Sequence, residues 1–191
     1  MPIEVSLDPG RHDRDHAPLS VDLPTGAPEG PYRFDGRLGG PAVAQAAGGK
    51  LWLVTGKLKA GQPAVLRASP GEPAGEALTM EEDGDTLTFL SDGALVTRYH
   101  FGDRSPLPLP ARPYFSPVKL GETELTRHVT AKKDPQPKID HPHHRSLWVA
   151  HGLVNGVDLW SEDAGHGIQK HSGFAWQVNK GPVWAGFEET L

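Results

Sequence analysis

Apolar residues recur at every second position in six short stretches: Ile3/Val5/Leu7, Leu19/Val21/Leu23, Leu51/Leu53, Leu87/Phe89, Leu95/Thr97/Tyr99/Phe101 and Phe174/Trp176/Val178. A period of two sends alternate side chains to opposite faces, so each stretch predicts a strand with one buried face. Turn signals separate them: Asp8-Pro9-Gly10, Pro24-Thr25-Gly26, Lys59-Ala60-Gly61, Asp83-Gly84-Asp85 and Ser91-Asp92-Gly93. Helical periodicity is nearly absent. The longest stretch free of Gly and Pro, Glu122 to Asp134, offers only Leu125 and Val129 as an i,i+4 apolar pair, and reads as a loop or one short helix.

Two proline-dense segments, Ser105 to Pro117 and Asp134-Pro135-Gln136-Pro137, predict extended connections, because each Pro lacks the N–H that a ladder needs. The strand pattern resumes after them, so they read as internal loops. The expectation is an all-β fold, an antiparallel β-sandwich, with residues 1–191 as a single domain and a His-rich functional segment at 140–171. Val183 to Leu191 reads as a strand that stops without a turn or polar tail. A chain truncated at its C-terminus, lacking further strands and site residues, has that appearance.

Composition narrows the function classes. Gly (23) and Pro (19) are abundant for 191 residues, which suits many short elements joined by turns. No run of about 20 apolar residues is present to form a spanning helix, and Met1-Pro2-Ile3-Glu4 lacks a signal-peptide pattern, so a cytoplasmic address and no membrane partner are expected. With no Cys, a metal would need His, Asp or Glu. A net charge of −5 without a basic block argues against a nucleic-acid partner and leaves a small-molecule or sugar ligand. The sequence names no cofactor and assigns no residue to a metal.

The candidate chemistry lies in Asp140-His141-Pro142-His143-His144-Arg145-Ser146-Leu147-Trp148-Val149-Ala150-His151, with His166 and His171 following. On an extended backbone His141, His143, Arg145 and His151 point to one face, and His144, Ser146 and Trp148 to the other. Asn155-Gly156 predicts a type I′ hairpin that brings the strand from Val157 back alongside Trp148 to His151. Asp158 and Glu162 then approach the histidines and set their tautomers.

Three readings stay open. In the first, His141, His143, His144 or His151 moves protons while Arg145 anchors the substrate, with Trp148, Asp158, Glu162, His166 and His171 as binding residues. In the second, the same side chains bind a sugar without chemistry. In the third, His141-x-His143 ligates a metal, completed by His151, His166, Glu162 or Asp158. Against all three stands the plainer reading that these histidines cap turns or pair with acids.

The blocks Arg112-Pro113-Tyr114-Phe115-Ser116-Pro117, Leu125-Thr126-Arg127, Asp140 to Trp148 and Asn155 to Glu162, together with Pro41 to Gln45 and the strand around Leu51, resemble the bacterial family labelled methane oxygenase PmoA. Taken literally, that label implies a copper membrane monooxygenase subunit, which needs spanning helices that this chain lacks. The resemblance further implies a soluble β-sandwich, longer than this chain by another run of strands and similar to the galactose-mutarotase-like supersandwich, in which histidines and acids act on a sugar ring. A carbohydrate-active lyase, hydrolase or epimerase is the activity it suggests.

Overall fold

A computed structural model describes residues 2–35, 43–71, 77–103, 111–127, 141 and 143–191. The predictions made for residues 105–110, for most of the 122–134 stretch, for Asp134 to Pro137, for Asp140 and for Pro41 fall outside them. The described residues form fourteen strands and no helix. They are β1 (Ile3–Leu7), β2 (Pro18–Asp22), β3 (Gly30–Asp35), β4 (Val43–Ala47), β5 (Lys50–Val54), β6 (Ala64–Pro70) and β7 (Leu78–Asp83). After these come β8 (Thr86–Ser91), β9 (Ala94–His100), β10 (Tyr114–Leu120), β11 (Thr123–Glu124), β12 (Gly173–Val178), β13 (Lys180–Gly181) and β14 (Gly186–Thr190). Among these residues no helix is long and apolar enough to cross a membrane.

The chain divides into two compact units, one of Met1–Leu78 with Val178–Ala185 and one of Thr79–Gln177 with Gly186–Leu191. The first unit holds an antiparallel sheet in the order β1-β6-β3-β4-β5-β2. Its two edge strands share one core, because Ile3, Val5 and Leu7 of β1 belong to the same cluster that Leu19 and Val21 of β2 pack against. The sheet therefore curls over its apolar face. Ala44 and Ala46 are small where Leu51 and Leu53 opposite them are large, and all four are buried. Full burial of each such leucine contributes about 1.5–3 kcal/mol. The buried Gln45 is an exception on β4, and its Oε1 accepts from the backbone N–H groups of Val183 (3.3 Å) and Trp184 (3.0 Å).

The second unit is a sandwich. Antiparallel pairing runs β8 to β9, β9 to β10 and β10 to β11, and β12 pairs with β14 in a separate two-stranded sheet. Aromatic rings fill the space between the sheets: Phe187 of β14 lies 4.8 Å from Tyr99 and 5.1 Å from Phe174, with Phe89 and Phe115 at 6.2 and 6.3 Å. Alternation predicted Phe89, Tyr99 and Phe174 correctly as inward residues.

Two expectations need correction. The stretch ending at Pro117 is not wholly a connection, since Tyr114–Leu120 is strand β10. Its register shifts between Phe115 and Val118, and this irregularity accommodates Pro117 within the strand. The C-terminal strand is shorter than predicted, beginning at Gly186 rather than Val183. The Asp92-Gly93 turn joining β8 to β9 matches its signal, with φ of 47° and 79° in the left-handed region that a type I′ turn requires.

Candidate functional site

The histidine block is not an extended strand. The His144 N–H donates to the His141 carbonyl at 2.9 Å, closing a turn, and Ser146 takes a positive φ of 70°. A single antiparallel bridge then ties Leu147 to Phe115, at 2.7 and 3.2 Å. Thr126 supplies a second tether, because its Oγ1 accepts from the Ser146 hydroxyl at 2.5 Å and from the Val118 N–H at 3.3 Å. The turn removes the predicted alternation of faces. Instead His141, His143 and His144 gather on one another, with ring centroids 4.3–5.9 Å apart, and Arg145 turns inward.

Two tryptophans complete this cluster. Trp148 lies 5.1 Å from His144 and 5.6 Å from Trp160, and Trp160 lies 5.8 Å from both His143 and His144. Trp160 is 41% exposed, so its ring borders solvent. Burial, then the neighbouring His144, His141 and Arg112 charges, hold the His143 imidazole below its ordinary value of 6.5 against the pull of Glu162. An imidazole in that state is neutral near pH 7 and accepts protons.

Beneath the cluster lies a buried ionic triad. Arg145 Nη2 donates to Glu162 Oε1 at 2.7 Å, and Arg112 Nε approaches the same oxygen at 3.2 Å. Arg112 also donates to the carbonyls of Trp160 (3.4 Å) and Ser161 (3.3 Å), which fixes the backbone that carries Trp160. Arg145 sits 6.0 Å from the centroid of the buried Tyr114 ring. Burial lowers Arg112 from its ordinary value and raises Tyr114, while Glu162 opposes the first shift and Arg145 the second. Trp148 Nε1, Tyr114 Oη and Glu162 Oε2 are withdrawn from solvent with no hydrogen-bond partner among the described residues.

The Asn155-Gly156 turn forms as predicted, with φ of 52° and 82° and paired hydrogen bonds between Val154 and Val157 at 2.9 and 3.0 Å. No strand continues from Val157. Asp158 redirects the chain, accepting from the N–H groups of Trp160 (2.8 Å) and Ser161 (3.1 Å) and from the Ser161 hydroxyl (2.6 Å). These bonds, the Ser161 hydroxyl foremost, lower the Asp158 carboxyl from its ordinary value. Asp158 thus shapes the loop beneath Trp160 and makes no hydrogen bond to a histidine among the described residues.

The remaining predicted residues sit apart. His151 is exposed, its Nδ1–H donating to the Leu153 carbonyl at 3.2 Å. His166 Nδ1–H donates to the Asp163 carbonyl at 2.7 Å. His171 belongs to the aromatic core of the sandwich, its Nδ1 2.6 Å from Glu189 Oε1 and its ring against Phe101 and Phe174. Tyr99 donates to the other oxygen of Glu189. Among the described residues no three His, Asp or Glu side chains gather closely enough to hold one metal ion.

A model for a family of unknown function, DUF6807, matches residues 86–191, more than half of the chain. The chain belongs to that family. No curated protein and no solved structure matches it. The DUF6807 region spans β8 to β14 and carries the histidine cluster, both tryptophans and the ionic triad. Sequence reasoning named Arg112 only as the first residue of the Arg112 to Pro117 block and missed its ion pair with Glu162. Its only signal is the Arg112-Pro113-Tyr114 block, in which a charged residue opens an apolar, rigid stretch.

Proposed function

We propose that this DUF6807 protein is a carbohydrate-processing enzyme in which His143 and His144 exchange protons with a sugar held against Trp160. The observation that carries this reading is the cluster itself: His143 and His144 meet edge to face at 4.3 Å, flanked by a half-buried and an exposed indole. An indole face borders sugar C–H groups well, and a neutral imidazole beside it serves as general base. Trp148 Nε1 adds a buried donor without a partner among the described residues, which a substrate hydroxyl would satisfy. Arg145, 1% exposed and bound to Glu162, acts as a positioning residue rather than as a direct anchor. The reaction class is proton transfer of the kind used by sugar epimerases, lyases and hydrolases.

The oxygenase label of the resembled family asks for a metal, and among the described residues no three His, Asp or Glu side chains are grouped to hold one, so no step is routed through an ion. A non-catalytic sugar-binding module is the second reading, favoured by the exposure of Trp160. The test is turnover and binding of neutral and acidic sugars by the full chain, by NMR in D2O. His143→Ala and His144→Ala are expected to lower the rate by about 10²–10⁴-fold with binding retained. Binding abolished by Trp160→Ala, with no turnover by wild type, selects the binding module. Absence of both turnover and binding overturns the proposal.

A further inference from the structure

The two edge strands of the first sheet, β1 and β2, share one core but do not pair with each other. A cleft of about 360 Å³ is lined by both, a volume within the range of about 300–1,000 Å³ that small-molecule sites occupy. Leu7 of β1, Leu19 of β2 and Leu58 give it an apolar wall. Ahead of Pro18 the segment from Arg14 continues the pairing of β2 with β5. Arg14 and Leu58 exchange backbone hydrogen bonds at 2.8 Å, and the Thr55 N–H donates to the Ala17 carbonyl at 3.1 Å. Arg14, which precedes β2, and Asp8, which follows β1, line the same cleft. Arg14 Nε donates to the Pro9 carbonyl at 3.2 Å, which orients the guanidinium and leaves its two Nη groups as a fork for a carboxylate. Among the described residues no carboxylate pairs with it, because Asp13 lies 2.7 Å from Lys59 and Asp15 2.7 Å from His16. Asp8 Oδ1 accepts from the Gly10 N–H at 2.8 Å, and among the described residues Asp8 pairs with no cation. The buried Thr55 accepts the Ala17 N–H at 3.1 Å through Oγ1, while its own hydroxyl proton has no acceptor among the described residues. A cation and an anion that line one cleft without pairing with each other suit a ligand that carries both charges, and the leucine wall suits an apolar side chain.

We infer that this cleft binds the zwitterion of a free apolar amino acid. Its carboxylate is held by Arg14 and the Thr55 hydroxyl, its ammonium by Asp8, and its side chain lies against Leu7, Leu19 and Leu58. The site is built entirely from the first unit, outside the region matched by DUF6807, and is independent of the sugar reading.

The experiment is calorimetric titration of the full chain with leucine, methionine and phenylalanine, at least one of which is expected to bind. The amide of the tightest, which lacks the carboxylate, and its N-acetyl derivative, which lacks the ammonium, are each expected to bind about tenfold more weakly. Glycine, without an apolar side chain, is expected to fall by a similar factor of about ten. Arg14→Gln and Asp8→Asn are each expected to weaken the amino acid about tenfold. Both positions are exposed, and Asn keeps the oxygen that accepts from Gly10, so neither change threatens the fold. Unchanged affinity in Arg14→Gln, or equal binding of the amino acid and its amide, overturns the site. Equal binding of the N-acetyl derivative, or unchanged affinity in Asp8→Asn, overturns the zwitterion. If none of the three amino acids binds, the proposal falls.

Discussion

Arg145 and Glu162 meet at 2.7 Å with their side chains 0% and 5% exposed, seventeen residues apart in the chain. Arg112 shares the same carboxylate oxygen, so one acid holds two buried cations. Glu162→Gln is therefore expected to destabilise the fold by about 3–5 kcal/mol, because it removes the buried carboxylate charge that both guanidiniums share. Urea unfolding measures this, and a loss below about 1 kcal/mol contradicts the geometry.

His143 is expected to titrate below 6.5, by two-dimensional NMR of its ring protons. Because its folded-state value is depressed, the unfolded chain binds the proton more readily. The contribution to stability is present above pH 6.5 and is lost as pH falls below that value. Removing the neighbouring charge with His144→Ala moves His143 back upward, since His144 is the largest electrostatic cause after burial.

Gly181→Ala is expected to destabilise the first unit. An added Cβ falls 1.9–2.2 Å from the amide of Gln45, the group that holds the Val183 and Trp184 backbone. Displacing it costs about 1–3 kcal/mol. It also perturbs the stacked Trp52–Trp184 pair, 5.6 Å apart, which tryptophan fluorescence reports.

Gly156→Val is expected to break the turn between Val154 and Val157, since a β-branched residue is strained at φ 82°. About 1–2 kcal/mol is the expected loss in urea unfolding. Slower amide exchange at Val154 and Val157 in the wild type than in the variant is the accompanying sign.

Much of the fold was legible because strand pairing in this protein uses side chains that alternate locally. Ile3/Val5/Leu7, Leu51/Leu53 and Leu87/Phe89 all lie on strands, and Asp92-Gly93 and Asn155-Gly156 form the turns their left-handed residues demand. β4 was not read as a strand, because Ala44 and Ala46 are too small to register as an apolar face and Gln45 is buried between them. β10 was not read because Pro117 signals a connection, and only a register shift against β9 allows it inside a strand.

The site divides the same way. The block containing His141, His143, His144 and Trp148 was visible as an unusual local density of imidazoles. Local sequence could not say that the block turns at His141–His144 and sends Arg145 inward, because that outcome depends on Phe115 and Thr126, which reach it from other parts of the chain. Nor does spacing bring Arg112 to Glu162, or His171 to Glu189.

By itself the sequence determined the strand class, most turns and the region of candidate chemistry, because these follow from side-chain period, backbone permissiveness and composition. Only tertiary structure decided which charges share a carboxylate, which indole faces water and which histidines stand apart. Burial and electrostatic partnership are properties of distances between residues remote in the chain, and no local pattern encodes them.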